Sequence, residues 1–107
     1  MNYRVQLTTD AKTDLAGIVG YIRVHDSLES AQFVYDKLRA TIDSLKSFPN
    51  RGTVVEEARQ LGEDHLREVF FKPYRILYEV ADNRVIVYLI ADGRRNMQEL
   101  LAKRLLG

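Results

Sequence analysis

The chain contains no cysteine, which excludes a disulfide framework, a thiolate metal site and a cysteine nucleophile. Its amino terminus lacks the layout of a signal peptide. No apolar run approaches the roughly 18 residues that a membrane-spanning helix requires. We therefore expect a protein of the reducing cytoplasm that does not enter membranes.

Histidine is scarce, since His25 and His65 are the only two. Neither has a second histidine or a carboxylate at the spacing of metal ligands, so no metal site is predicted. The chain also lacks a nucleophile elbow, a phosphate-binding glycine loop and a dinucleotide fingerprint. No cofactor is expected, and His65 is interpreted as a loop residue rather than as a general acid or base.

The length of 107 residues and the 46% hydrophobic content predict one soluble domain spanning residues 1–107. The formal net charge of +1 conceals an asymmetry. From Leu66 onward there are eight Lys/Arg against five Asp/Glu, whereas the first 65 residues carry eight against ten. This excess is small for a general nucleic-acid binder and indicates one local basic site.

Hydrophobic periodicity and capping residues predict an α+β fold of order β-α-α-β-β-β-α. A helical hairpin would pack on a mainly antiparallel sheet, and a short helix would close the chain. The acidic stretch 53–64 has no assignable structure. The predicted elements are strands at 3–7, 66–71, 74–80 and 84–91, a helix capped by Thr8 or Thr9 that includes Ile22, a helix begun by Asp26 or Ser27 that reaches Leu45, and a helix capped by Asn96 that reaches Leu105.

A two-residue turn at Asp82 and Asn83 would fix the register of the last two strands. One face of this pair is then almost wholly apolar and suits the helical hairpin. Its predicted pairs are Val80 with Val85, Tyr78 with Val87, Ile76 with Leu89, and Tyr74 with Ala91. The opposite face carries Arg75, Leu77, Glu79, Ile86, Tyr88 and Ile90, and Arg67 joins it if the register of the preceding strand allows.

This opposite face is half apolar and half charged, so part of it should be covered. The closing helix could cover it through Met97, Leu100, Leu101 and Leu105, or a partner protein could fill a groove there. Arg75 either forms an ion pair with Glu79 or meets such a partner.

Arg94 and Arg95 stand just before the predicted helix cap, where cations oppose the helix dipole. A solvated turn is one explanation for them. The other is recognition of carboxylates or phosphates, to which arginine is suited. On the second explanation, an acidic partner or a nucleic-acid backbone is expected at this site.

Three segments in this order resemble the RelE/ParE superfamily, the toxins of bacterial type II toxin–antitoxin modules. The first resembles the family's opening strand and helix, the second its central strands, and the third its last strand and terminal helix. They are residues 3–15 with Tyr21 and Ile22, then Leu66 and Arg67 with 74–80, and 89–96 with Leu100 and Leu101.

The resemblance implies one of two activities. RelE-like members cleave messenger RNA on the ribosome with basic residues and a carboxyl-terminal tyrosine or histidine. The residues that would then act are Arg67, Arg75, Tyr88, Arg94 and Arg95, with Lys72 helping. ParE-like members inhibit DNA gyrase by binding. The absence of tyrosine and histidine after Arg95, and the Asp92-Gly-Arg-Arg-Asn segment, favour the ParE-like branch.

The resemblance also implies a role in plasmid stabilisation and a cognate antitoxin that wraps the toxin with a carboxyl-terminal segment. DNA would be contacted only through the antitoxin. A non-toxic adaptor that retains the fold is a third interpretation. The residues expected to contact antitoxin or target are Arg75, Leu77, Tyr88, Ile90, Arg94 and Arg95.

Overall fold

The computed structural model describes residues 2–107. The predicted α+β fold is confirmed. Its elements are β1 (Arg4–Leu7), α1 (Thr9–His25), α2 (Leu28–Asp43), a 3-10 turn (Ser44–Lys46), β2 (Thr53–Val54), α3 (Glu56–Gln60), β3 (Arg67–Phe71), β4 (Tyr74–Ala81), β5 (Arg84–Asp92) and α4 (Met97–Leu106). The five strands form one sheet in the order β1-β5-β4-β3-β2, in which only β1 and β5 pair in parallel.

The three longer helices begin at capping residues that the sequence identifies. The Thr8 hydroxyl accepts a hydrogen bond from the Ala11 amide at 3.0 Å. Ser27 caps α2 through the Ser30 amide in the same way, and the Asn96 side chain caps α4. Each cap satisfies an amide that the first helical turn leaves without an intrahelical partner. Within residues 2–107, none of the helices has the length and apolar character to cross a membrane.

The stretch without assignable structure contains the short strand β2 and the five-residue helix α3. A helix of this length has no stability of its own in water, so local sequence does not predict it. Val55 and Ala58 are completely buried and attach the segment to the sheet. Tertiary packing therefore orders it.

A β-bulge at Tyr88 corrects the predicted register. Val80 pairs with Val85 as expected, but beyond the bulge Leu77 pairs with Leu89. Tyr88 is the additional residue on β5, and a shift of one residue exchanges the two faces of a strand. The predicted pairs of Ile76 with Leu89 and of Tyr74 with Ala91 are therefore wrong, and the observed partners are Ile90 and Asp92.

The bulge divides the apolar residues of β5 between two cores. Ile90 joins the core beneath α1 and α2, whereas Leu89 and Ala91 face α3 and α4. The second core also contains Val55, Ala58, Leu66, Leu77, Met97 and Leu101. The sheet face expected to be partly open is thus covered by two elements, of which the sequence indicated only α4.

Two charged side chains bind backbone groups of β5 next to the bulge, beyond the point where pairing with β1 ends. The Ile90 amide donates to Asp14 Oδ2 on α1 at 3.0 Å, and Arg104 on α4 donates to the Tyr88 carbonyl at 2.7 Å. Arg104 also donates to both carboxylate oxygens of Asp14, each at 3.1 Å. Asp14 and Arg104 therefore connect α1, β5 and α4 at one point.

We predict that Asp14→Ala lowers the free energy of unfolding by about 1–3 kcal/mol, because it leaves the Ile90 amide and the Arg104 guanidinium without their acceptor. Urea denaturation followed by circular dichroism measures the change. Asp10→Ala is the matched control. Exposed Asp10 lies 3.7 Å from the same arginine, so this change should lower the free energy of unfolding by less than about 0.5 kcal/mol. An equal decrease in the free energy of unfolding in the two variants would contradict the structural role proposed for Asp14.

Candidate functional site

Arg75 is held inside the protein by two glutamates. Its Nη1 and Nη2 atoms donate to the two carboxylate oxygens of Glu57 at 2.9 and 2.8 Å, and its Nε donates to Glu68 at 2.6 Å. The side chains of Arg75 and Glu68 are only 13% and 8% exposed. The expected ion pair with Glu79 does not form, because α3 brings Glu57 onto this face and β3 brings Glu68.

The hydrogen bonds between Arg75 and Glu57 favour the charged forms of both side chains. The hydrogen bond from Arg75 is the main cause that lowers the pKa of Glu57, and burial opposes it. The hydrogen bond with Glu57 is likewise the main cause that raises the pKa of Arg75. The guanidinium is already matched by carboxylates, so an antitoxin or a phosphate would have to compete with Glu57 and Glu68 for it.

Tyr88 lies in a chain of polar side chains that the sequence did not reveal. Its hydroxyl donates to Glu79, and His65 Nε2 lies 2.9 Å from the other oxygen of Glu79. The Nδ1 atom of His65 is 3.4 Å from Glu63. Arg67 pairs with Tyr78, so the residues just before Arg67 run alongside Glu79. Had this register been known, the sequence would have indicated that His65 approaches Glu79.

The environment of Tyr88 raises the pKa of its hydroxyl and makes it a weaker acid than a free tyrosine. Burial first, and then the hydrogen bond to Glu79, raise the pKa of Tyr88 to about 12. General acid–base catalysis works best with a group whose pKa lies near the operating pH. Tyr88 therefore does not fit the part of a catalytic tyrosine in this conformation.

Arg94 and Arg95 lie in the exposed turn after β5. The side chain of Arg94 is 81% exposed and forms a bidentate pair with Asp92, which is the main cause that lowers the pKa of this carboxyl. Arg95 is also exposed and forms no ion pair within residues 2–107. Both arginines line a depression of about 630 Å³ against Gly17 and Tyr21 of α1.

The remaining predicted site residues are not brought together. Arg67 pairs with Tyr78 and so lies on the helical-hairpin side, where its guanidinium donates to the Gly52 carbonyl at 2.7 Å. Leu77 and Ile90 are 0% and 2% exposed and lie in different cores, so neither belongs to the protein surface. Of the expected contact residues, Arg94 and Arg95 are exposed, whereas Arg75 and Tyr88 are partly buried.

No three histidine or acidic side chains of residues 2–107 come together in a way that could hold a metal ion. Glu68, Arg75 and Glu79 on β3 and β4 are instead paired with other side chains. This arrangement suits a binding surface better than a centre that transfers protons.

We predict that Glu57→Gln destabilises the protein by about 1–2 kcal/mol at pH 7, because Arg75 loses one of its two carboxylate partners. A carboxyl whose pKa is lowered by folding contributes stability above its unfolded pKa, which is 4.5 for glutamate, and loses it as the pH falls through the folded value. The difference from the unsubstituted protein should therefore shrink in acid, as measured by urea denaturation between pH 7 and pH 3.

Glu56→Gln serves as the control for this experiment. Glu56 lies next in the chain and pairs with exposed Arg59 at the surface, where ion pairs contribute little. A Glu57 effect that is no larger than that of Glu56, or that does not change with pH, would contradict the burial of a charged cluster at Arg75.

Comparisons with known proteins show which family model and which solved structures this chain resembles. A family model described as the ParE toxin of the parDE type II toxin–antitoxin system matches residues 5–97. A chain of the chromosomal ParDE system from P. aeruginosa has a TM-score of 0.68 and 17% identity, covering 84% of this chain and 95% of that one. A chain of the RelBE2 toxin–antitoxin complex from Mycobacterium tuberculosis has a TM-score of 0.65 and 20% identity, covering 86% of this chain and 92% of that one.

Among curated proteins, none matches the chain significantly. The two solved structures show the shared fold, while the family model reaches from β1 to the start of α4. The resemblance to the RelE/ParE superfamily is confirmed. Because the match spans most of its 107 residues, this protein belongs to the family of ParE toxins of type II toxin–antitoxin systems.

Proposed function

We propose that this protein inhibits DNA gyrase by binding to it and that a cognate antitoxin neutralises this activity. The family supports the gyrase target, and the ParDE and RelBE2 complexes among the structural neighbours support the antitoxin. On this proposal the toxin acts in the cytoplasm and meets operator DNA only through its antitoxin.

The observation that favours binding over cleavage is the state of the two side chains best suited to RNA chemistry. Cleavage through a ribose 2′-hydroxyl requires a base for that hydroxyl and a cation for the phosphate. Arg75 already binds two carboxylates, and Tyr88 has its pKa raised to about 12. Both groups are therefore already engaged inside the protein, which supports binding over cleavage.

The exposed arginines provide a contact for the target instead. Arg94 and Arg95 stand at the rim of the depression beside α1, next to exposed Tyr21. Arginine and tyrosine side chains are frequent among the residues that dominate the energy of protein interfaces. We therefore place the gyrase contact at this rim.

A ribosome-dependent messenger RNA endonuclease of the RelE type is the second candidate. The chain from His65 through Glu79 to Tyr88 favours it, because linked polar side chains of this kind can relay a proton. On this alternative, Tyr88 and His65 would be required for activity. The gyrase proposal requires neither.

We expect the purified protein to inhibit DNA supercoiling by gyrase and to leave messenger RNA intact in a purified translation system. Replacing both rim arginines by Arg94→Glu and Arg95→Glu should raise the concentration needed for half inhibition by about tenfold or more. Lys37→Glu is the control, since this exposed lysine lies on α2, away from the rim. Gyrase activity that remains unaffected by the unsubstituted protein would contradict the proposal.

Tyr88→Phe separates the two candidates. It removes the hydroxyl that the nuclease would need and leaves the rim arginines in place. We predict unchanged gyrase inhibition, as measured by the same supercoiling assay. Ribosome-dependent cleavage by the unsubstituted protein that disappears in Tyr88→Phe would establish the endonuclease instead.

A further inference from the structure

The depression of about 630 Å³ beside the rim arginines continues along α1. A second depression, of about 530 Å³, adjoins it, because Ile22 and Tyr74 line both. Together they form one groove between the helical hairpin and the ends of β4 and β5, and we call it the α1 groove. Between Gly17 and Asp26 it follows about 14 Å of helix.

The end of the α1 groove away from the rim arginines has aromatic walls and two unpaired carboxylates. The rings of Phe33 and Phe71 meet edge to face there, with their centroids 6.3 Å apart. Asp26 and Glu29 line the same end, and neither forms an ion pair within residues 2–107. Lys72 is the one cation among the described residues that line it, so this end is acidic. Aromatic rings and carboxylates together suit a guanidinium group.

Large apolar side chains are exposed around this acidic end. Tyr21, Val24, Leu28 and Phe33 are 66%, 76%, 68% and 56% exposed, and they lie close to the tip of the helical hairpin. Lys37 Nζ lies 5.6 Å from the centroid of the Phe33 ring, which shows that a cation can reach this ring. Exposed apolar side chains that cluster in this way mark an interaction surface.

The other end of the α1 groove carries an unmatched positive charge. Asp92 lines this end but is paired with Arg94. Asp14 also lines it and is paired with Arg104. Arg95 is exposed and forms no ion pair within residues 2–107. The two ends of the α1 groove therefore have opposite charge.

A groove with opposite charges at its two ends is complementary to itself. In a dimer with two-fold symmetry, both copies use the same surface, so each contact between different residues occurs twice. Two copies that pack groove to groove in opposite directions bring the basic end of each against the acidic end of the other. An occupant of one charge sign would instead meet a like charge at one end, which disfavours binding.

We propose that a second copy of this chain occupies the α1 groove and forms a symmetric dimer. Arg95 of each copy enters the aromatic end of the other copy and pairs with its Glu29. Tyr21 lies about halfway along the groove, so the two Tyr21 side chains meet near the symmetry axis. This inference goes beyond the proposed function and does not depend on it. On the proposed function, gyrase and the second copy compete for the rim arginines, so the dimer is an inactive form of the toxin.

Sedimentation velocity of the purified full-length protein tests the dimer. We expect mainly dimer at about 100 μM and mainly monomer at about 1 μM, a range that suits a small interface. Arg95→Glu and Glu29→Arg should each raise the dissociation constant of the dimer by about tenfold or more, because each change brings like charges together. Arg84→Glu is the matched control, since exposed Arg84 does not line the α1 groove. Circular dichroism checks that each variant is folded.

An equimolar mixture of the two charge variants tests the symmetry of the contact. In a heterodimer of Arg95→Glu with Glu29→Arg, both contacts again join opposite charges. The mixture should therefore dimerise at a concentration at which neither variant does so alone. A mixture that is no more dimeric than its separate components overturns the pairing of Arg95 with Glu29.

Phe33→Ser tests the apolar part of the interface without a change of charge. Because Phe33 is half exposed, we expect the variant to fold and its dimer to dissociate about fivefold more readily or more. Phe48→Ser is the control, since Phe48 is equally exposed but lies outside the α1 groove.

The dimer is overturned by a protein that remains monomeric at about 100 μM, or by equal effects of Phe33→Ser and Phe48→Ser. Sedimentation uses no gyrase, so either outcome leaves the proposed gyrase inhibition standing. A protein that dimerises as expected but does not inhibit gyrase would contradict the proposed function and leave the dimer established.

Discussion

The contact of Asp14 and Arg104 with the bulged part of β5 is the constraint on which both sides of this protein depend. Without the bulge at Tyr88, Ile90 would face α4 and Leu89 would face α1, so the two cores would exchange residues. The Ile90 amide and the Tyr88 carbonyl lie at this bulge, and α1 and α4 each supply one partner for them. The closing helix is therefore attached to β5 at the bulge that divides the two cores.

The sequence predicted the parts of the fold that depend on local chemistry. The caps at Thr8, Ser27 and Asn96 set the starts of the longer helices, and the turn at Asp82 and Asn83 set the first pairs of the last hairpin. The bulge at Tyr88 has no local signature, because an uninterrupted run of apolar residues fits either register. The helix α3 was not predicted because it is ordered by burial and by Glu57.

The sequence indicated which residue types form the candidate site but not how they are arranged in space. An arginine within an apolar strand correctly indicated a charged partner, yet the partners of Arg75 are Glu57 and Glu68 from distant parts of the chain. The exposed arginines after β5 were identified because no packing rule explains two cations before a helix cap. A groove of about 1140 Å³ along β1 was not predicted, because the cations that line it come from β5, α1 and α2 and meet only in the folded protein.

On the proposed function, this toxin acts through surfaces rather than through a catalytic centre. Arg75 and Glu68 inside the protein are matched to each other and Arg75 also to Glu57, while Arg94 and Arg95 lie exposed at the rim of the depression beside α1. The most direct test of this account is to measure the growth of bacterial cells after induction of this protein alone. We predict arrest that ends when the neighbouring gene is co-expressed. Normal growth, while the folded protein accumulates, would contradict the account.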